Sequence, residues 1–142
     1  MKKKYLIVIA DYYKDVSKGL LQSTLNSIPK KNSVKIIKVP GVFEIPVTIS
    51  KNIKKYDAFI ALGCVIKGET PHFDFISRST FDAIMNLTID YKKPIGNGII
   101  TSFNKAQAIK RSSSSNILSK PNKGAEAANA VISILNNDSK NQ

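Results

Sequence analysis

Four short apolar runs, separated by longer stretches with helical spacing, limit the folds that are open to this chain. The runs cover residues 5–10, 34–39, 58–62 and 95–100. Each has the length of a strand, and most are continuously apolar, which is typical of strands that are buried on both faces. Strands of this kind in alternation with helices predict a parallel sheet with helices on both sides.

The stretches between these runs predict the helices. Apolar residues from Val16 to Ile28 recur at offsets of three, four and five, which traces one face of a helix that Pro29 stops. A second helix has Pro46 in its first turn, although the alternating apolar residues there also fit a strand. Further helices are predicted over residues 72–91, 105–111 and 122–135, with the polar run 112–116 as a kink or loop. This order predicts a three-layer αβα, flavodoxin-like α/β domain with a four-stranded parallel sheet.

One domain, residues 1–142, accounts for the sequence, because too little chain follows the polar run to form another core. The polar tail, residues 136–142, is expected to fray. The first apolar run is too short for a signal peptide or a membrane span. The one cysteine, Cys64, has no partner for a disulfide or a zinc site. We therefore expect a cytoplasmic protein that contacts no membrane and holds no structural metal.

The formal net charge of +12 raises the question of a nucleic-acid partner. Only Arg78 and Arg111 among the 22 basic residues are arginines, and the basic residues are spread along the chain. Surfaces that read bases usually rely on arginine, so a lysine-rich solvated surface is the favoured interpretation. Such a surface also attracts small anionic substrates toward a cleft. We therefore predict no nucleic-acid partner.

Ligands of a doubly wound sheet bind beyond the carboxyl ends of its strands, so the loops there are the candidate site. After the first strand, the ring of Tyr12 either covers the core or stacks on a planar heterocycle. After the second, the Pro40-Gly41 turn brings Glu44 close to a helix N-terminus. Glu44 is then either a simple helix charge or an acceptor for substrate hydroxyls, with the backbone of Val42 and Phe43 against a ring edge.

The third loop has the features of an anion site. Thr70 is predicted as a helix N-cap with Pro71 at the first helical position, so free backbone N–H groups face a cleft beside Lys67 and Gly68. That arrangement suits a phosphate. His72, the only histidine, falls in the first helical turn, where its imidazole is placed to take and return a proton. A lone histidine is otherwise an ordinary polar residue.

Beyond the fourth strand, Arg111 and Lys123 are candidate ligands of an anion or a carbonyl group. Arg111 also fits the exposed face of an amphipathic helix, and Lys123 also fits a solvated surface. A lysine near a helix N-terminus opposes the helix dipole, however, and this favours a reason outside the helix. An incoming phosphate or pyrimidine carbonyl would supply that reason.

Three motifs resemble the lumazine synthase family in order and spacing, over about residues 5–135. They are Pro-Gly-Val-Phe-Glu-Ile-Pro at 40–46, Gly-Cys-Val-Ile-Lys-Gly-Glu-Thr-Pro-His-Phe-Asp at 63–74 and Asn-Lys-Gly-Ala-Glu-Ala-Ala at 122–128. The resemblance implies a transferase of riboflavin biosynthesis that condenses 5-amino-6-ribitylamino-uracil with 3,4-dihydroxy-2-butanone 4-phosphate to 6,7-dimethyl-8-ribityllumazine. It also implies that no cofactor is needed, that the chain forms homo-pentamers with sites between subunits, and that riboflavin synthase is a candidate partner.

Carried over position by position, the resemblance implies a role for each motif residue. Tyr12 stacks on the pyrimidine, Glu44 holds the ribityl hydroxyls, and His72 shuttles protons. Arg111 clamps the phosphate from the neighbouring subunit. The implied substrate-binding residues as a whole are Tyr12, Val42, Phe43, Glu44, Cys64, Val65, Ile66, Lys67, Gly68, Glu69, Thr70, Asn97, Arg111 and Lys123.

The chain departs from the family pattern at several points. Asn97 stands where an aromatic ring is common, and Glu69 stands where a small residue is usual, so a carboxylate lies beside the phosphate loop. The stretch between Arg111 and Lys123 is longer than in shell-forming relatives, and the arm before Tyr5 is nearly absent. The last two departures favour a free pentamer over a shell of twelve pentamers.

Other functions fit the same fold class less well. A signalling receiver needs an aspartate at the end of the third strand, where this chain has Gly63-Cys64. A flavin-binding protein of the flavodoxin type needs a Ser/Thr/Gly cradle after the first strand, where this chain has Asp11-Tyr12-Tyr13. A scaffold or shell protein that has lost catalysis remains an alternative, and Glu69 and Asn97 are its main support.

Overall fold

The four apolar runs form one parallel sheet in the computed structural model, which describes residues 2–114 and 122–140. The strands are β1 (Lys4–Ala10), β2 (Ser33–Val39), β3 (Ala58–Ile66) and β4 (Ile95–Ser102). Their order in the sheet is β2-β1-β3-β4, and every neighbouring pair is parallel. The carboxyl ends of all four strands therefore lie at one edge of the sheet.

Helices cover both faces of the sheet. They are α1 (Lys14–Ser27), α2 (Ile45–Asn52), α3 (His72–Tyr91), α4 (Lys105–Ser112) and α5 (Lys123–Lys140), and a single 3₁₀ turn, Val42–Glu44, precedes α2. One core cluster packs α1, α4 and α5 against Ile7 and Ile60, and the other packs α2 and α3 against Val8 and Phe59. Successive residues of a strand point to opposite faces, which explains this division. The predicted three-layer α/β fold is confirmed.

The third strand is longer than the sequence predicted. It runs to Ile66 and not to Leu62, because residues 63–66 pair in register with residues 99–102 of β4. A glycine usually weakens a strand, which is why the prediction ended before Gly63. Here the glycine is required by packing, since a Cβ at Gly63 would lie 2.8 Å from a methyl group of Val42. Cys64, Val65 and Ile66 are therefore strand residues.

Helix ends also differ from the prediction at three points. Helix α3 begins at His72 as predicted, but Pro71 and not Thr70 is at its N-cap position. Helix α4 continues to Ser112, whose hydroxyl donates to Ala108 O at 2.9 Å. Helix α5 extends to Lys140, beyond its predicted end at residue 135. Part of the serine-rich run, residues 115 and 116, lies outside the described residues.

The sheet has two edge strands with different surroundings. The outer strand β2 carries exposed Lys35 and Lys38, and charges of this kind prevent edge-to-edge pairing with other chains. The outer strand β4 lies beside a cavity that α3, α4 and α5 also border. None of the helices within residues 2–114 and 122–140 is long and apolar enough to cross a membrane.

Candidate active site

The loops at the carboxyl edge are joined in pairs by backbone hydrogen bonds. The N–H of Asp11 donates to Val39 O at 3.3 Å, which holds the loops after β1 and β2 together. The N–H of Lys67 donates to Ser102 O at 2.9 Å and does the same for the loops after β3 and β4. The parallel sheet thus brings the predicted loops to one edge.

In the first loop, Asp11 is anchored and Tyr12 is exposed. The Asp11 carboxylate lies 3.0 Å from Lys14 Nζ and 3.8 Å from Lys38 Nζ. The hydrogen bond from Lys14 lowers the pKa of Asp11, so this side chain stays anionic. The ring of Tyr12 is 71% exposed and meets Tyr13 edge-on at 4.8 Å between ring centroids. A planar ligand can therefore reach the free face of Tyr12.

In the second loop, Val42 anchors the 3₁₀ turn in the core, and the next residue, Phe43, is exposed to solvent. Val42 is buried against the core, whereas Phe43 is 61% exposed. Glu44 occupies the N-cap position of α2, but its side chain makes no capping hydrogen bond. Its place at the helix start fits the interpretation as a simple helix charge, and the missing capping bond leaves its carboxylate available to a ligand.

A cavity of about 370 Å³ lies between this loop and α3, and we call it the loop cavity. Thr80 on its wall is only 1% exposed, and its hydroxyl has no hydrogen-bond partner in the described chain. The residues that line the loop cavity are Phe43, Glu44, Pro46, Val47, Ser79, Thr80 and Ala83. Two predicted substrate-binding residues, Phe43 and Glu44, are thus brought together.

The third loop is exposed from Lys67 to His72. The Thr70 hydroxyl accepts a hydrogen bond from the His72 N–H at 3.4 Å, so Thr70 serves the start of α3 although it is not the N-cap. Lys67 Nζ lies 5.4 Å from the centre of the Phe103 ring, which is within the range of a cation–π contact. Among the ion pairs of the described residues there is none between Glu69 and Lys67, so these two charges do not neutralise each other.

A second cavity of about 290 Å³ lies along the outer side of β4, and we call it the edge cavity. It brings together three predicted residues from three elements: Asn97 of β4, Arg111 of α4 and Lys123 of α5. Asn97 Oδ1 accepts a hydrogen bond from the Ile99 N–H at 3.1 Å. Arg111 Nη1 donates to Gln107 O at 3.1 Å. The two cations beside one opening provide charge for an anionic ligand.

Besides three further residues of β4, the edge cavity has two lining residues from helices that sequence reasoning missed. Glu126 lies one helical turn after Lys123 and adds a carboxylate to the basic wall, and Phe81 of α3 adds an aromatic ring. The spacing of three between Lys123 and Glu126 was the available signal for the first. No sequence signal pointed to Phe81, because its place depends on how α3 packs against β4.

Gln107, for which the sequence indicated no role, fixes the start of α4. Its side-chain Oε1 accepts a hydrogen bond from the Phe103 N–H at 2.8 Å, while its own N–H donates to Asn104 Oδ1 at 2.9 Å. This reciprocal pair resembles a capping box, which is worth about 1 kcal/mol. Gln107 O also accepts a hydrogen bond from Arg111 Nη1, which holds the guanidinium along α4.

The single chain does not unite all the predicted residues. His72 is not among the residues that line the edge cavity with Arg111. The Cys64 side chain lies in the core cluster under α1, α4 and α5, on the opposite face of the sheet from the cluster that contains Val42. Burial raises the pKa of Cys64 to about 11, so the thiol is neutral and unsuited to act as a nucleophile. Within the described residues, no group of three or more His, Cys, Asp or Glu side chains could hold a metal ion.

Comparisons with known proteins agree on one family. The family model described as 6,7-dimethyl-8-ribityllumazine synthase matches residues 2–139. A protein of that name from Nitrobacter hamburgensis is 38% identical over 138 residues, which span 92% of this chain and 82% of the relative. A relative of the same name from Bartonella tribocorum is 39% identical over 95% of this chain and 91% of its own length. One from Zymomonas mobilis is 39% identical over 94% of each.

Proposed function

The chain belongs to the 6,7-dimethyl-8-ribityllumazine synthase family, and from this premise we propose that its active site is assembled from two neighbouring subunits. The enzyme is a transferase of riboflavin biosynthesis. It condenses 5-amino-6-ribitylamino-uracil with 3,4-dihydroxy-2-butanone 4-phosphate. The product is 6,7-dimethyl-8-ribityllumazine.

One observation carries the proposal of a shared site. The predicted ligands of the pyrimidine, Phe43 and Glu44, line the loop cavity, whereas Arg111 and Lys123 line the edge cavity. Each cavity alone has only part of the groups that the reaction needs. We propose that the edge cavity of one subunit closes over the loop cavity of the next.

Two unlike halves on one chain favour a ring of subunits. A two-fold dimer brings identical patches together, whereas a head-to-tail contact joins two different surfaces and gives a cyclic oligomer when the rotation between subunits closes. Helix α3 offers an apolar surface for such a contact, because Phe75, Met85 and Ile89 are exposed on one of its faces. We propose a homo-pentamer, the number that the family resemblance implies.

Binding roles follow from the chemistry of the side chains. The exposed rings of Tyr12 and Phe43 offer planar faces for the pyrimidine, and Glu44 accepts hydrogen bonds from the ribityl hydroxyls. Lys67 and the backbone of the third loop hold the phosphate together with the neighbour's Arg111. The neighbour's Lys123 and Asn97 complete the heterocycle pocket, as do the backbone groups at residues 64–66 on the strand end.

The reaction asks the protein for orientation and proton transfer. The amine of the uracil attacks the ketone of the butanone phosphate, and loss of water gives an imine. Elimination then releases inorganic phosphate, and ring closure releases a second water. His72 takes and returns the protons at these steps, and its exposed position at the start of α3 lets it reach a ligand on the third loop.

Product formation tests the activity directly. Purified protein is mixed with both substrates, and lumazine fluorescence is followed together with release of inorganic phosphate. We expect one mole of inorganic phosphate to be released for each mole of lumazine that the fluorescence reports. A folded, assembled protein that releases neither would contradict the proposed activity and would favour the catalytically impaired scaffold.

Mixing two defective variants tests the shared site. His72→Ala and Arg111→Ala subunits are unfolded together and reassembled, and each variant is also reassembled alone as a control. If a site takes His72 from one subunit and Arg111 from the next, random mixing restores about a quarter of the sites. A mixture whose activity equals the mean of the two variants would show that the site lies within one chain.

Location and partners are also part of the proposal. A single cysteine fits a reducing compartment, which supports a cytoplasmic location. Riboflavin synthase is a candidate partner because it would use the product of this reaction. The lysine-rich surface serves to attract the anionic substrate and not to bind nucleic acid.

A further inference from the structure

Asn122 joins three helices through one side-chain amide. Its Oδ1 accepts hydrogen bonds from the N–H groups of Gly124 and Ala125, at 2.8 and 3.1 Å, and thereby caps the start of α5. Its Nδ2 donates to Ser113 O at 3.0 Å, just past the end of α4, and to Gly19 O of α1 at 3.5 Å. One residue thus connects α1, α4 and α5.

Two glycines let these helices approach closely enough for the connection. A Cβ at Gly19 of α1 would overlap the backbone carbonyl of Ser112 at the end of α4. A Cβ at Gly124 of α5 would meet the carbonyl of Leu20 on α1. The backbones of α4 and α5 therefore both pack against the same turn of α1, and Asn122 lies in the space between them.

The connection lies beside the two cations of the edge cavity. Arg111 is two residues before Ser113, and Lys123 directly follows Asn122. A displacement of α4 relative to α5 would change the distance between the guanidinium and ammonium groups that face one ligand. Charge-assisted contacts with a phosphate depend on the separation and orientation of their donors, so the register of these two helices matters for binding.

We propose that Asn122 is a positioning residue that holds Arg111 and Lys123 in register for the phosphate-bearing substrate. This inference rests on the proposed function of the edge cavity. Asparagine is suited to the role because one amide supplies both the acceptor that caps α5 and the donors for the carbonyls of Ser113 and Gly19. An aspartate would cap the helix but would place a carboxylate against two carbonyl oxygens.

The substitution Asn122→Ser tests the connection between the helices while it keeps the cap of α5. Serine is as good an N-cap as asparagine, but its hydroxyl is too short to donate to Ser113 O while it caps. We expect KM for the butanone phosphate to rise about tenfold with kcat close to that of the unmodified protein, and the midpoint of thermal unfolding to fall by no more than the loss of two hydrogen bonds accounts for. Asn122→Ala loses both functions and should also lower the unfolding midpoint.

The same substitution at another helix start is the matched control. Asn104 caps α4 by accepting from the Gln107 N–H. Its side-chain Nδ2 is not among the donors of the hydrogen bonds in this part of the chain. Asn104→Ser should therefore leave KM unchanged. An equal rise of KM in both variants would overturn the inference, because it would indicate a general effect of the substitution.

A double-mutant comparison distinguishes positioning from a general loss of stability. If Asn122 acts through Arg111, then Asn122→Ser should have little further effect on KM when Arg111→Ala is already present. Full additivity of the two effects would contradict the inference. An active protein in which Arg111→Ala raises KM and Asn122→Ser does not would refute the positioning role alone, whereas an inactive unmodified protein would refute the proposed function.

Discussion

At the scale of single residues, the candidate site depends on polar groups that packing leaves accessible at the sheet edge. Within the described residues, the side chains of His72 and Glu44 form no hydrogen bond or ion pair. Asp11 is held by an ion pair with Lys14, and Cys64 is buried. The sequence predicted His72 and Glu44 from their loops. Glu126 was missed, because membership of the edge cavity depends on the packing of α5 against β4.

The first prediction concerns the proton-transfer residue. His72→Ala should lower kcat by roughly a hundredfold without abolishing turnover, because general acid–base catalysis contributes at least that much and substrate orientation remains. Steady-state kinetics with saturating substrates measures the effect. Unchanged kcat would remove His72 from the mechanism.

The second prediction concerns the phosphate clamp. Arg111→Ala should raise KM for the butanone phosphate about 10- to 100-fold, because a charge-assisted and often bidentate contact is lost, while KM for the uracil changes less. Arg111→Lys keeps the charge without the bidentate geometry, so its KM for the butanone phosphate should lie between that of the unmodified protein and that of Arg111→Ala. Equal effects on both substrates would contradict a phosphate-specific role.

The third prediction uses the buried thiol. Burial raises the pKa of Cys64 from 9.0 to about 11, so its thiolate fraction near pH 8 should be about a hundredfold lower than in the unfolded chain. Iodoacetamide should therefore react correspondingly more slowly with the folded protein, and protein in denaturant is the control. Lys105 lowers this pKa, so Lys105→Ala should slow the reaction further.

The same shift has a defined effect on stability. The raised pKa means that the folded state favours the neutral thiol more strongly than the unfolded state does. Its contribution is complete below about pH 9 and is lost as the pH rises toward 11. Cys64→Ala should remove this part of the alkaline loss in urea-unfolding curves, and an unchanged alkaline profile would show that another group is responsible.

At the scale of elements, the hydrophobic pattern determined which segments are strands and which are helices, but not all their limits. All four strands and the order of the helices were predicted, since each depends on local periodicity. The end of β3 was not, because pairing of residues 63–66 with β4 outweighs the weak strand propensity of Gly63. The end of α5 beyond Leu135 was also missed, because residues 136–140 contain no apolar residue that would continue the periodic pattern.

The fourth prediction concerns the contact between α1 and α4. Alanine is a better helix former than glycine by about 1 kcal/mol, yet Gly19→Ala should lower the free energy of unfolding by about 1–3 kcal/mol, because its methyl group overlaps the Ser112 carbonyl. Urea denaturation gives this difference. Gly68→Ala is the matched control, since a Cβ there meets nothing within 4 Å, and it should stay within about 0.5 kcal/mol. Equal stability of the two variants would contradict the close approach of α1 and α4.

At the scale of the whole molecule, three observations support an assembly. The predicted ligands are divided between two cavities, an apolar face of α3 is exposed, and the Thr80 hydroxyl is buried without a partner in the described residues. The sequence alone indicated subunit contacts only through the family resemblance, because periodicity does not distinguish an exposed face from one that a second copy covers.

The fifth prediction concerns the size of this assembly. Light scattering should give a mass about five times the 15.6 kDa of one chain, and a mass near a megadalton would instead indicate a closed shell. Met85→Glu combined with Ile89→Glu should shift the protein to single subunits, since charges cannot stay buried in an apolar contact. Leu25→Glu, which changes an isolated exposed leucine of α1, should leave the mass unchanged.

The separation of the loop cavity from the edge cavity also makes dilution a kinetic variable. An enzyme with a complete site in each chain keeps its specific activity at any concentration, but here an isolated subunit would hold two incomplete halves. Turnover per chain should then decrease once the protein concentration drops below a threshold. It should return when an excess of catalytically silent subunits is added. The rate of the reaction would thus report how much of the ring has formed.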